Sequence, residues 1–154
     1  MSLFQNIVII AILIAGAGFL SLTEIALAGA RKVKLKILAE SGDERAQKVL
    51  DLQENSADFF AASQIGLNAV AILGGILGEG AFRPYFFEFV SRFYAGSWAQ
   101  TASFALSFTL VTSLFILFAD LMPKRMAMIA PEKIAVSVIN PIQIFITVCR
   151  PLAW

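Results

Sequence analysis

Three long runs without a charged side chain decide what this chain can fold into. They are residues 1–23, 59–78 and 93–119. About 20 apolar residues in a helix cross the hydrocarbon core of a bilayer, which is roughly 30 Å thick. The sequence therefore predicts an all-α membrane protein with three transmembrane helices, at about residues 3–29, 57–80 and 97–120.

The composition agrees with a membrane location and excludes several classes of site. Hydrophobic residues make up 58% of the chain and charged residues only 15%, and the mean hydropathy is +0.78. Histidine is absent, which excludes imidazole zinc sites and Ser-His-Asp triads. The single cysteine, Cys149, excludes an internal disulfide, and a net charge of +1 argues against nucleic acid as a partner.

Two apolar segments need separate interpretation. The first run lacks a basic amino-terminal region, and its apolar stretch continues past Glu24 without an evident cleavage site. It is therefore predicted to be a retained span and not a signal peptide. A fourth charge-free run, residues 134–148, is short for a span and contains Pro141. We expect an interfacial or re-entrant segment there.

The basic residues predict the orientation. Of the 12 Lys and Arg residues, all but Arg83 and Arg92 follow the first or the third span. Cytoplasmic loops are enriched in Lys and Arg, so the N-terminus is expected outside and the C-terminus in the cytoplasm. The expected location is the plasma membrane, which is the inner membrane of a bacterium.

The more polar segments are predicted to form amphipathic juxtamembrane helices, at about residues 31–54 and 124–150. Ser41-Gly42-Asp43 divides the first segment, with Asp43 as the N-cap of its second half. The basic first half is typical of a helix lying on an anionic membrane surface, which makes lipid an expected partner. A solvated linker helix is the alternative.

Polar side chains within the spans are the candidate functional residues, because an unpaired polar group in lipid is costly. In the first span, Ser21 and Glu24 are three residues apart and share a helix face. Taken alone, Ser21 could be a helix-packing serine. Glu24 could be an interfacial carboxylate paired with a nearby Lys or Arg.

The second span contains Ser63, Gln64 and Asn68. Gln64 and Asn68 share a face, whereas Ser63 and Asn68 lie about 140° apart on an ideal helix. Both could reach one ion only if the helix opened near Gly66, and such breaks are tolerated where they line a cavity or are buried in protein.

The third span ends at Asp120, three residues before Pro123. Pro123 is expected to stop or kink the helix and to free backbone carbonyls in the preceding turn. The alternative for Asp120 is an ion pair with Lys124 or Arg125 at the membrane edge. Together the candidates offer hydroxyl, amide and carboxylate oxygens without nitrogen or thiolate, a set suited to a hard cation such as Mg²⁺, Ca²⁺ or Na⁺.

These motifs together resemble a known family. Residues 19–32, which begin Phe-Leu-Ser-Leu-Thr-Glu, look like the start of the transmembrane domain of the CorC/CNNM (cyclin M) magnesium transporters. Residues 63–68 resemble the second span of that domain, and Asp120-Leu121-Met122-Pro123-Lys124 resembles its Glu-x-x-Pro-Lys element. The resemblance extends over essentially the whole chain, with the motifs in the same order.

The resemblance implies Mg²⁺ export from an inward-facing acidic cavity, coupled to Na⁺ entry, with Mg²⁺ and Na⁺ as the bound ions and no enzymatic activity. The metal ligands that the resemblance implies are Ser21, Ser63, Asn68 and Asp120, with Glu24 as a secondary residue of the site. The reasoning on the spans adds Gln64 and Gly66 as secondary cavity residues and Pro123 as the helix break. The family usually has Gly-Glu where this chain has Ala119-Asp120, so the shorter carboxylate could bind the ion through water.

The resemblance also implies a homodimer. Gly74 and Gly78 form a Gly-x-x-x-Gly pair, which favours close helix packing within the chain or between chains. Family members continue into cytoplasmic CBS domains that bind nucleotide. Such domains would lie beyond Trp154, so nucleotide is an expected partner only through them.

The same residues raise two other classes of function. A membrane-embedded Mg²⁺ sensor or scaffold would bind the ion without moving it, and only a flux measurement separates it from a transporter. An intramembrane enzyme is disfavoured, because no histidine is available to activate Ser21 or Ser63. Only Glu24 and Asp120 could form a catalytic carboxylate pair.

Overall fold

The computed structural model describes residues 3–93 and 96–149, and these residues are helical with no β-strand among them. The elements in chain order are α1 (Leu3–Gly29), α2 (Lys32–Glu40), α3 (Glu44–Glu54), α4 (Ser56–Ser91), α5 (Ser97–Leu114), a π-helical segment (Phe115–Leu121), α6 (Met122–Ile129) and α7 (Pro131–Cys149).

The structure confirms an all-α membrane fold with three spanning helices. The segments Phe4–Gly29, Ser56–Ser91 and Trp98–Ile129 are 26, 36 and 32 residues long, and each is apolar enough to cross a bilayer. The third comprises α5, the π-helical segment and α6 in one continuous path. A helix pairs its backbone N–H and C=O groups within itself, and this is required because lipid offers these groups no hydrogen-bond partner. The N-out, C-in orientation stays a prediction.

The second helix extends further than the predicted span. The charge-free run ends before Glu79, but α4 continues to Ser91. Ion pairs one turn apart support the extension: Arg83 Nη1 lies 3.5 Å from Glu79 Oε1, and Arg92 Nη2 lies 3.3 Å from Glu88 Oε1. Such i,i+4 pairs stabilise a helix, so α4 does not end where its apolar run ends.

The third span continues past the proline at which the sequence predicts a stop or a kink. α5 changes at Phe115 into the π-helical segment, after which Met122 N–H donates to Leu117 O and α6 extends to Ile129. Pro123 lies in the first turn of α6, directly after the π-helical segment, and because it has no N–H it cannot continue the hydrogen-bond pattern of that segment. The predicted helix break is instead a change of hydrogen-bond register within a continuous helical path.

The first juxtamembrane segment is divided as predicted. α2 ends at Glu40, and Gly42 adopts a left-handed φ of +99°. Asp43 Oδ1 then accepts a hydrogen bond of 3.1 Å from Arg45 N–H, which confirms Asp43 as the N-cap of α3. α2 and α3 pack against each other around the fully buried Leu35, and α3 also contacts α7.

The fourth charge-free run lies within α7. This helix continues from Pro131 to Cys149 with Pro141 inside it. It therefore contains no reversal of direction such as a re-entrant segment requires, and the interfacial location stays a prediction. Position 150, the predicted end of the second juxtamembrane helix, lies outside the described residues.

Glycines allow α4 to pack closely against the third span. A Cβ atom at Gly74 would overlap the ring of Phe115, and one at Gly78 would overlap the side chain of Val111. Both contacts are within the chain, so the structure supports the first of the two uses predicted for the Gly-x-x-x-Gly pair. The homodimer stays a prediction.

Candidate functional site

Two of the predicted site residues meet between α1 and the π-helical segment. Ser21 Oγ donates a hydrogen bond of 3.1 Å to Asp120 Oδ1. The same carboxylate oxygen lies 2.5 Å from Lys124 Nζ. Ser21 is fully buried, whereas the side chains of Asp120 and Lys124 keep 47% and 35% of their surface exposed. One carboxylate oxygen thus binds a buried hydroxyl and a partly exposed ammonium.

Gly18 brings the two elements close enough for this contact. It lies about one turn before Ser21 on α1. A Cβ atom at Gly18 would lie 3.2 Å from Pro123 Cγ and 3.4 Å from Phe118 O, so a larger residue would push the segments apart. Ala119, beside Asp120, is buried in an apolar cluster that also contains Ala17 of α1. Small side chains therefore set the distance between α1 and the carboxylate.

The change of helical register occurs at the candidate carboxylate, Asp120. π-helical turns are rare and are frequent at functional sites. Pro123 has no N–H, so the carbonyls of Phe118 and Ala119, five and four residues before it, cannot receive a hydrogen bond from it. The spacing between Asp120 and Pro123 predicted an irregularity of the helix at this point, but the sequence analysis did not predict that it would be a π-helical segment.

The polar residues of α4 divide between two faces. Ser63 is fully buried, and its hydroxyl has no hydrogen-bond partner in the described part of the chain. Gln64 and Asn68 are exposed. Since α4 is continuous, Asn68 keeps its angular separation of about 140° from Ser63. The structure therefore does not bring these two side chains to one point, and their roles as ion ligands stay predictions.

The predicted opening of α4 at Gly66 does not form. The helix passes through Gly66 without interruption. Its missing side chain instead makes room for neighbours, since a Cβ atom there would lie 3.0 Å from Leu20 Cδ1 and 3.3 Å from Phe145 Cζ. Close packing of α1 and α7 on this glycine explains its presence without a helix break.

Glu24 lies near Ser21 on the same helix. They are three positions apart, which corresponds to about 4.5 Å along the axis of α1. Glu24 is half-buried, and the ion pairs formed among residues 3–93 and 96–149 do not include it. The alternative of an interfacial pair with Lys or Arg thus finds no support here, and its place in the ion site stays a prediction.

The donor set at Asp120 can be compared with what different cations require. The described residues contain no group of three or more His, Cys, Asp or Glu side chains that could hold a metal ion. The charge of Asp120 is already balanced by Lys124. Mg²⁺ demands a near-octahedral oxygen shell at about 2.0–2.1 Å and dehydrates reluctantly. The structure thus brings one carboxylate, one hydroxyl and one ammonium together at Asp120.

A buried carboxylate, Glu132, which the sequence reasoning missed, connects the juxtamembrane helices. Glu132 Oε1 lies 3.3 Å from Lys34 Nζ and 4.0 Å from Arg31 Nε, and the glutamate side chain is 10% exposed. The N–H of Glu132 itself and the Lys34 ammonium hold the pKa of this carboxyl below its usual value. The signal was Pro131-Glu132, typical of a helix start. This pair anchors α2 to α7.

Comparison with known proteins identifies relatives of the whole chain. The chain is 53% identical to the polyamine export protein of Escherichia coli (strain K12) over 152 residues, which cover 99% of this chain and 34% of that protein. It is 46% identical to the polyamine export protein of Haemophilus influenzae over 154 residues, or 100% of this chain and 36% of that protein. A UPF0053 protein of Synechocystis is 31% identical over 144 residues, which cover 93% of this chain and 32% of that protein.

The relatives and the fold agree on the class of protein. Three apolar helices make the chain a multi-pass membrane protein, and it spans only 32–36% of the length of the relatives named above. A family model described as the cyclin M transmembrane N-terminal domain matches residues 8–154. The chain therefore belongs to the CNNM family, whose transmembrane domain it contains.

Proposed function

We propose that this domain exports organic polycations of the polyamine class across the membrane, and that Asp120 binds a substrate ammonium. The observation that carries the proposal is the contact of Asp120 Oδ1 with the Lys124 ammonium, at 2.5 Å, and with the Ser21 hydroxyl, at 3.1 Å. A primary ammonium on an alkyl chain is the group that a polyamine presents at its ends. Lys124 is therefore a chemical stand-in for one end of the substrate.

The relatives support the same substrate class. The proteins of Escherichia coli and Haemophilus influenzae described above are both named polyamine export proteins. Their similarity extends over at least 99% of this chain, including the segments that carry Ser21 and Asp120. We infer that the substrate class is shared, because the matched residues include the three membrane-spanning helices of this chain.

Export of Mg²⁺, coupled to Na⁺ entry, is the second candidate function. It is supported by the all-oxygen donors Ser21, Asp120 and Ser63, whose buried hydroxyl lacks a hydrogen-bond partner within the described residues. In that mechanism Ser63 would replace one water of the hydrated ion, and Lys124 would have to leave Asp120 first. A Mg²⁺ sensor or scaffold would use the same groups without flux. Neither alternative includes an enzymatic step.

The cellular setting completes the proposal. The basic residues around α2 and α6 favour the cytoplasmic leaflet of the bacterial inner membrane, with the N-terminus outside. The site at Asp120 would then be close to the cytoplasmic side, from which an exporter loads its substrate. We expect the protein to work as a homodimer in contact with membrane lipid.

Flux in liposomes tests the proposal. The protein, in its full natural length, is reconstituted in vesicles loaded with labelled putrescine, and efflux is followed with and without Mg²⁺ as competitor. Asp120→Asn preserves the shape of the side chain and removes its charge. A hydrogen bond to a charged group contributes about 1.5–3 kcal/mol, so apparent affinity should fall about ten- to hundredfold.

A matched control removes the charge of a carboxylate outside the candidate site. Within the described part of the chain, Glu88 forms its ion pair with Arg92 at the far end of α4, where both side chains are more than 70% exposed. Glu88→Gln should leave putrescine efflux unchanged. Mg²⁺ efflux that depends on Asp120, without putrescine efflux, would replace the proposal by the second candidate. Binding of Mg²⁺ without flux of either cation would favour the Mg²⁺ sensor or scaffold.

A further inference from the structure

We propose that Lys124 is the resident counter-ion of the site: its ammonium occupies Asp120 when no substrate is bound, a substrate ammonium displaces it, and it returns when the substrate leaves. This inference rests on the proposed function and assigns a specificity-determining role to a residue outside the predicted ligand set. It makes Lys124 a competitor of the substrate within the same chain.

The geometry makes Lys124 and the substrate mutually exclusive at one atom. Lys124 Nζ lies 2.5 Å from Asp120 Oδ1, a short charge-assisted contact, and the same oxygen accepts the Ser21 hydroxyl at 3.1 Å. The donation from Ser21 holds the carboxylate in place whichever ammonium is bound. Oδ1 has two lone pairs, which the Ser21 hydroxyl and the Lys124 ammonium occupy, so a substrate ammonium can bind this oxygen only in place of Lys124.

The helix keeps Lys124 tethered to the site. Asp120 and Lys124 are four residues apart, with the acidic residue first, which is the favourable order for an ion pair on one helix face. A displaced Lys124 need not stay buried, because its side chain is already 35% exposed. It can extend its ammonium to the basic end of the span, as lysines near membrane interfaces do.

The charge balance explains why a transporter would need such a residue. An unpaired carboxylate within a membrane-spanning helix is costly, so an empty site without Lys124 would resist moving through the membrane core. The Asp120 carboxylate is then paired in both states, with the Lys124 ammonium in the empty site and with one ammonium of the substrate in the loaded site. Lys124 therefore supports the return of the empty transporter as well as competing with the substrate.

Two substitutions of Lys124 should shift binding in opposite directions. If Lys124 occupies Asp120 in about nine of ten molecules, its removal in Lys124→Gln makes putrescine binding about tenfold tighter. Lys124→Arg should weaken putrescine binding, because a guanidinium binds a carboxylate through two N–H groups and is harder to displace. A residue with a merely structural role would weaken binding, or leave it unchanged, in both variants.

The closing experiment measures putrescine binding and two kinds of efflux with the protein in its full natural length. Net efflux is measured into buffer without putrescine, and exchange is measured into buffer with putrescine. Lys124→Gln should bind putrescine about tenfold tighter, retain exchange and lose most of its net efflux. Lys133→Gln is the matched control, since Lys133 is exposed on α7 and outside the ion pairs of the described residues.

The outcomes separate this inference from the proposed function. If wild type transports putrescine but Lys124→Gln binds it with weaker or unchanged affinity, the proposed function stands and the role of Lys124 is overturned. An equal loss of exchange and net efflux in that variant would overturn it too. Wild type that neither binds nor transports putrescine would overturn the proposed function and this inference together. If Lys124→Gln fails to fold, Lys124→Met, which also removes the ammonium, is measured in its place: tighter putrescine binding supports the role, and weaker or unchanged binding overturns it.

Discussion

Two adjacent glycines in α4 provide a matched test of the packing that supports the site. A Cβ atom at Gly74 would overlap the ring of Phe115, whereas one at Gly75 would meet nothing within 4 Å. Phe115 is the first residue of the π-helical segment that carries Asp120. We therefore expect Gly74→Ala to destabilise the domain and to disturb the site, and Gly75→Ala to do neither.

The expected magnitude follows from comparing the two variants. Replacing Gly by Ala within a helix gains roughly 0.8–1 kcal/mol, but this gain is common to both positions and cancels in the comparison. The remaining difference is the cost of forcing a methyl group into a packed contact, about 1–3 kcal/mol. For a domain of this size, each kcal/mol corresponds to about 2–4 °C in Tm, so the two variants should differ by about 2–12 °C.

The assay is thermal unfolding of both variants in the same detergent, followed by far-UV circular dichroism. A second substitution, Phe115→Leu, removes the ring that the new methyl group meets. Added to Gly74→Ala it should restore part of the lost stability, whereas added to Gly75→Ala it should bring no gain in stability. Equal melting temperatures for the two glycine variants, or a higher one for Gly74→Ala, would refute the reasoning.

Three further predictions concern single side chains. Ser21→Ala removes a hydrogen bond to a charged carboxylate, which contributes about 1.5–3 kcal/mol, and should lower the Tm by about 3–12 °C in thermal unfolding. Gly42→Ala forces a left-handed φ on alanine at a cost of roughly 1–2 kcal/mol and should lower the Tm. Glu132→Gln should be less stable than wild type above pH 4.5, the usual pKa of its carboxyl, and the difference should disappear as pH falls through the lowered pKa of Glu132.

The spans and the caps could be predicted from the sequence because local features determine them. A charge-free run of sufficient length has few alternatives to a membrane-spanning helix. Gly42 and Asp43 likewise act within their own turn, through a left-handed φ and a side-chain cap. The meeting of Ser21 with Asp120 is different, because it joins α1 to the third span. It was expected only through the resemblance, which placed both residues at one ion site.

The remaining features depend on tertiary packing, which spacing does not reveal. Whether a glycine opens a helix or admits a neighbour is decided by what packs on it, and at Gly66 the neighbours are Leu20 and Phe145. The π-helical register before Pro123 likewise accompanies the close approach of Gly18. The exposure of Asn68 follows from the continuity of α4, which the sequence left open.

The central claim is that the Asp120 carboxylate binds a primary ammonium of the substrate. The most direct measurement is a calorimetric titration of the purified protein, in its full natural length, with putrescine and separately with Mg²⁺, for wild type, Asp120→Asn and Glu88→Gln. The account predicts saturable putrescine binding that is at least about tenfold weaker in Asp120→Asn and unchanged in Glu88→Gln. Equal putrescine binding by wild type and Asp120→Asn, or saturable binding of Mg²⁺ alone, would contradict it.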